Sequence, residues 1–228
     1  MSSSKRSPSM PQPGHLRREV THQNLPVSFM LKAPQQRRSR EMVHAILDAT
    51  LFVIEEEGAE SFTTNRIAEV AGISVGSLYQ YFENKEMLIA GTIERGIMDS
   101  AAIVGEALAQ NPTAPALDVL RAAADAVAEG LKPYQQLLTH AFAMTPLANT
   151  TGVIPLLESR ITTVIRHWIC ARKNLDDYPL SDPLRIAART AVLGMIQWLT
   201  DLQDEVDQDV FVDTLAKMLV AGLGDALA

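Results

Sequence analysis

Between Thr64 and Lys85 the chain sets hydroxyls, an amide and two cations among apolar residues: Thr64, Arg66, Ser74, Val75, Gly76, Ser77, Tyr79, Gln80, Tyr81 and Lys85. Hydroxyls and amides donate to and accept from base edges and phosphate oxygens, and Lys and Arg neutralise phosphate. A glycine among them lets the backbone come close to another surface. Such groups recognise; they do not break bonds. Catalysis would call for an activated nucleophile, paired carboxylates or a cofactor loop, and the chain has no G-x-S-x-G, phosphate-cradling Gly loop or H-E-x-x-H. Cys170, the single cysteine, excludes a disulfide framework and a Cys-based zinc site. No Cys or carboxylate stands at ligand spacing beside His140 or His167, and the acidic run 201–213 lacks the Gly and Glu of a calcium loop. The expectation is therefore no enzyme, no metal and no cofactor.

The elements that must position those polar groups are short helices. Ala68 suits the close approach of two crossing helices, and Gly72 suits a reversal within three or four residues. Ile67, Ala71, Ile73, Leu78 and Phe82 are spaced to fill the wedge between them. Ser74 is placed to cap the second helix. That leaves Val75, Gly76, Ser77, Tyr79 and Gln80 without apolar work. Upstream, Ile46, Ala49, Thr50 and Val53 recur at helical spacing, and Leu47, Leu51 and Ile54 widen the stripe up to Gly58. Downstream, Asn84 is a plausible cap for a longer helix with Glu86 in its first turn. Thr64 and Lys85 open helices, where N–H groups already favour phosphate.

Composition bounds the rest. Of 228 residues 47% are hydrophobic, enough for a real core, and the net charge is −7. The charge is unevenly spread. Residues 1–40 hold eight cations and one anion, whereas residues 41–95 and 96–228 are each at −7. A basic leader on an acidic body points to the leader as the polyanion-seeking part. Pro8, Pro11, Pro13, Pro26 and Pro34 oppose any long helix there, so residues 1–36 are expected to be disordered, with Met30 a candidate start. No signal sequence and no membrane-spanning run is legible, which predicts a cytoplasmic protein without a membrane partner.

Beyond residue 96 the chain is Ala- and Leu-rich, and its breaks leave helices near 116–130, 134–144, 155–174, 183–203 and 208–227. Period-2 alternation is absent. The expected fold is all-α, about nine helices: an N-terminal three-helix domain followed by a helical bundle. Apolar residues between 96 and 203, with a few polar anchors, suggest a small-molecule pocket involving His140, Met144, His167, Trp168, Met195 and Gln197.

The run Ile46-Leu47-Asp48-Ala49, Gly58, Thr63-Thr64, Ile67-Ala68, Ala71-Gly72-Ile73-Ser74, Gly76, Leu78-Tyr79, Tyr81-Phe82, Asn84-Lys85-Glu86 resembles the N-terminal domain of the TetR family of bacterial transcriptional regulators. The resemblance covers about a quarter of the chain. It implies a DNA-binding domain over 37–95, a ligand-binding and dimerisation domain over 96–228, and a homodimer. A double-stranded DNA operator and an unknown small-molecule effector follow as partners. Base and phosphate contacts then fall on Thr64, Arg66, Val75, Gly76, Ser77, Tyr79, Gln80, Tyr81 and Lys85. Several members carry Lys or another polar residue where Val75 stands; a valine suits a thymine methyl instead. The longer leader offers Arg37, Arg38 and Arg40 to an adjacent minor groove. The last two helices would pair with their symmetry mates through Ala188, Ala191, Gly194, Phe211, Leu215 and Met218. The expected function is a ligand-responsive repressor released from a palindromic operator. The alternative is a helical scaffold that has lost DNA binding.

Overall fold

The apolar stripe from Ile46 to Ile54 forms α1 (Arg37–Phe52), which continues into one π-helical turn at Val53–Glu57 and stops at Gly58. The computed structural model describes residues 25–26, 28–110, 114–144, 153–179 and 181–224. After a 3₁₀ turn come α2 (Thr64–Val70), α3 (Val75–Tyr79) and α4 (Lys85–Gln110). Then follow α5 (Ala116–Leu131), α6 (Gln135–Met144), α7 (Val153–Lys173), α8 (Asp182–Gln197) and α9 (Gln208–Leu223). A second π-helical turn, Trp198–Leu202, closes α8. Among the described residues there are nine α-helices and no strand, the all-α class expected.

Helix α4 organises the molecule. Its 26 residues span roughly 39 Å at 1.5 Å per residue. Every residue from Leu88 to Ile97 is buried, because α1 covers one side and the bundle the others. Two glycines admit large rings against it: a Cβ on Gly91 would meet Phe82 Cε1 at 2.8 Å, and one on Gly96 would meet Tyr134 Cε1 at 2.7 Å. The domain boundary expected after residue 95 therefore falls inside one unbroken helix. Downstream, α4, α5, α9, α8 and α7 each pack on the next and the last returns to α4. Five helices thus close a ring around an apolar interior.

The leader departs from expectation. Residues 1–24 and 27 lie outside the described residues, but 25–26 and 28–34 form a strap against the end of α3 and the buried part of α4 rather than a disordered tail. Pro26 and Pro34 are buried, and Leu25, Phe29 and Met30 pack against the core. The Leu31 N–H donates to the Tyr81 carbonyl at 2.8 Å. Ser28 donates from its N–H (3.1 Å) and its hydroxyl (2.5 Å) to the buried Glu94 carboxylate. Burial pushes the Glu94 carboxyl up, and the two Ser28 bonds oppose that shift. Prolines prevented a helix here without preventing docking.

Candidate nucleic-acid interface

Thr63, not Thr64, caps α2, its side chain accepting from the Arg66 N–H at 3.1 Å. Gly72 turns the chain at φ 68, and the Ile73 N–H reaches back to the Ala68 carbonyl at 3.0 Å. Ser74 caps α3 through the Ser77 N–H at 3.1 Å and also meets the Ser77 hydroxyl at 2.8 Å. Ile67, Leu78 and Phe82 are fully buried and form the wedge the spacing predicted. With its apolar contacts collected on one side, α3 faces solvent with the other.

On that outer side two residues fifteen positions apart come together: Thr64 Oγ1 lies 3.1 Å from the Tyr79 hydroxyl. Tyr79 is 44% exposed, and Gly76 and Gln80 are exposed beside it. Val75 and Ser77 are partly buried at the same rim. The strap adds a cation that sequence reasoning had not placed there. Lys32 Nζ donates to Gln80 Oε1 at 3.2 Å and lies 5.0 Å from the Tyr81 ring centre. Its only advance signal was its sign, within the basic leader. Arg38 and Arg40 stand exposed at the start of α1, while Arg37 pairs with Glu41 at 2.7 Å.

Three expected contact residues are spent elsewhere. Tyr81 is 5% exposed and belongs to the core, so its ring packs rather than reads. Arg66 is clamped: Nη2 to Glu57 Oε1 at 2.5 Å, Nε to Glu57 Oε2 at 2.8 Å, and Nη1 to Glu69 Oε2 at 2.8 Å. The hydrogen bonds that Arg66 donates to Glu57 hold the carboxylate below its usual range and drive the guanidinium further up. A guanidinium between two carboxylates adds no net positive charge to the surface. Lys85 turns its Nζ over the Phe62 ring, 4.6 Å from the centre.

Among the described residues proposed for a small-molecule pocket, only Met195 lines the cavity inside the helical ring. His140 instead meets Phe62 edge-on at 5.5 Å, under the first domain. His167 and Gln197 are exposed, and Trp168 is buried with Arg172 over its ring. The Met144 side chain lies outside the described residues. Among the described residues no cluster fit to hold a metal occurs. Of the residues proposed for dimerisation, Ala188 and Leu215 are buried within their own chain, and Phe211 stacks on Trp198 at 5.1 Å. Ala191 and Gly194 are partly buried, and Met218 is 53% exposed.

A short capped helix that shows hydroxyls and an amide to solvent, braced by a second helix across a glycine turn, defines a helix-turn-helix protein built to meet duplex DNA. Residues 46–91 match the family described as bacterial regulatory proteins, tetR family. The chain is 24% identical over 198 residues to the HTH-type transcriptional repressor KstR of Mycolicibacterium smegmatis, covering 83% of this chain and 89% of that one. Among solved structures it resembles the TetR family repressor AlkX from a Dietzia strain, with a TM-score of 0.60 and 19% identity over 81% of this chain and 98% of that one. FadR from Bacillus subtilis in complex with stearoyl-CoA gives 0.56 and 18%, over 78% and 98%. The two structural likenesses speak for the fold. Residues 46–91 thus carry the TetR-family DNA-binding domain, and the chain as a whole resembles TetR-family transcriptional regulators. Among its described residues no helix is long and apolar enough to cross a membrane.

Proposed function

We propose that this regulator is a homodimeric, sequence-specific repressor that a small molecule releases from a near-palindromic operator. The observation that carries the DNA-binding half is the Thr64–Tyr79 contact, which puts hydroxyls of both helices on one exposed ridge. Thr64, Ser77, Tyr79 and Gln80 supply base and phosphate contacts, and Lys32, Arg38 and Arg40 supply the nearby charge. Residues 37–95 act as the DNA-binding part and 96–228 as the ligand-binding and dimerising part, joined by the continuous α4 rather than by a linker.

The dimer reading is supported by a face of α8 and α9 that the chain leaves bare. Ile186 and Leu193 stand two turns apart on α8, at 65% and 38% exposure. Val210 and Met218 stand at 60% and 53% on α9. An isologous pairing of these helices covers all four and replaces the buried Ala188 and Leu215. Two recognition helices must then lie ~34–36 Å apart to enter successive major grooves. A ligand that favours another spacing weakens operator binding, and coupling of about 1–3 kcal/mol is enough. KstR is named as a repressor and FadR was crystallised with stearoyl-CoA; both favour a repressor that answers a small molecule.

The test is fluorescence anisotropy of the full chain against a labelled fragment of its own upstream region, with sedimentation of the complex. Saturable binding that weakens with salt, with two chains per site, is expected. Failure to bind any such fragment at physiological salt would leave the scaffold alternative standing.

A further inference from the structure

The cavity inside the helical ring has walls that specify what it can hold. On α4 its lining runs from Ile93 to Leu108. Those sixteen positions span roughly 22 Å at 1.5 Å per residue, so the space is a slot elongated along α4. Two hydroxyl-bearing residues, Ser100 and Tyr134, line it, and both already serve the chain. The Ser100 hydroxyl donates to the Gly96 carbonyl at 2.7 Å. The Tyr134 hydroxyl donates towards Asp99 at 3.4 Å and lies beside Arg95. Arg95 in turn pairs with Asp48 at 2.6 Å, away from the slot.

Among the described residues no lysine, arginine or histidine lines the cavity. Three arginines on the surrounding helices pair with carboxylates, Arg121 with Asp213, Arg166 with Asp177 and Arg189 with Glu158, and Arg172 donates to the Ala114 carbonyl. Residues 111–113 and 145–152, which lie outside the described residues, contain no Lys, Arg or His. An ionised carboxylate or phosphate carried into such walls finds neither a counter-charge nor a free donor, so it stays out or loses its charge.

From this we infer that the effector is an uncharged, elongated lipophile, such as a long aliphatic alcohol or hydrocarbon, rather than a free fatty acid or its coenzyme A thioester. The inference rests on the regulator reading above and names the ligand class of its pocket. It sets this chain apart from the FadR complex, whose ligand stearoyl-CoA carries phosphates.

The test uses the full chain and phenylnaphthylamine, an uncharged fluorescent lipophile, at pH 8. Dodecanol should displace the probe at least about tenfold more effectively than dodecanoate, and lauroyl-CoA should be weaker still. Equal or better displacement by dodecanoate or lauroyl-CoA overturns the inference, as does failure of the probe to bind. Operator anisotropy on the same sample separates the two readings. Lost DNA binding with dodecanol selectivity intact sinks the function proposed above, not the ligand class. Two variants test the cause. Ala124→Leu, which fills the slot, should abolish probe binding. Should that chain fail to fold, Ile161→Lys at a partly buried lining position supplies the missing cation and should invert the preference towards dodecanoate. Unchanged selectivity in a folded Ile161→Lys chain also overturns the inference.

Discussion

The helix-turn-helix ridge and the helical ring treat their hydroxyls in opposite ways. On the ridge Thr64 and Tyr79 bond one another at the surface, and Ser77 meets the cap Ser74, so each hydroxyl stays within reach of an outside partner. In the ring, Ser100 bonds back to its own helix and Tyr134 points at Asp99 and Arg95, so the slot is left to hydrocarbon. One region exposes polarity held by a tight apolar wedge; the other hides it to keep an apolar space open. Recognition of a charged polymer and recognition of an oily molecule thus come from the same residue types, sorted by where their partners lie.

The comparison breaks most visibly at the wedge. Phe82→Ala should cost about 3–5 kcal/mol, since the ring is fully buried over Gly91, while Val104→Ala at the slot should cost clearly less because it only enlarges an existing cavity. Urea unfolding of both variants measures this, and equal losses would erase the distinction between a tight wedge and a loose ring. Next in size is the joint between the regions. Asp48→Ala leaves the nearly buried Arg95 without its carboxylate and should destabilise by about 1–3 kcal/mol, less than a fully buried pair because Asp48 is largely exposed. Thermal unfolding would read the loss, and Asp48→Asn should recover only part of it.

Smaller effects sharpen the ridge itself. Lys32→Ala should lower the salt slope of operator binding by about one unit, whereas Arg66→Ala should leave it nearly unchanged, because Glu57 and Glu69 already neutralise that guanidinium. Tyr79→Phe should weaken operator binding roughly three- to tenfold with little change in unfolding midpoint.

The smallest effect concerns pH where the two regions meet. Burial, and then the nearby Lys85 charge, hold His140 below the ordinary histidine range near 6.5. Its neutral form is the one the fold accepts, so that contribution is complete above the unfolded value and is lost as pH falls through the folded one. Stability should decline by less than about 1 kcal/mol between pH 7 and pH 5, and His140→Phe should flatten that part of the profile.

The ridge was legible from sequence because its logic is local. Within twenty residues the chain names its caps, its turn glycine and its wedge, and Ser74, Gly72 and Leu78 do what their spacing predicts. Tyr81 misled because the chain of α3 ends at Tyr79 and then bends, turning a side chain two positions on into the core. Arg66 misled because its partner, Glu57, lies on a π-helical turn that widens the end of α1.

In the ring the signals were weaker, since α8 carries apolar residues on every side. Composition could not say that Ala188 turns inward while Ile186 and Leu193 turn out. Likewise the strap from Pro26 to Pro34 reads as polar, proline-broken chain, and only the buried Glu94 carboxylate and the core beneath Phe29 and Met30 anchor it.

Local pattern alone therefore determined which segments are helical and the caps, turn and wedge of the helix-turn-helix, because capping, turn geometry and helical periodicity act over a few residues. Tertiary packing alone decided which face of α8 stays bare, which cations are already spent, and that none among the described residues lines the ring's interior. Those outcomes depend on neighbours tens of residues away, whose approach no short-range rule encodes.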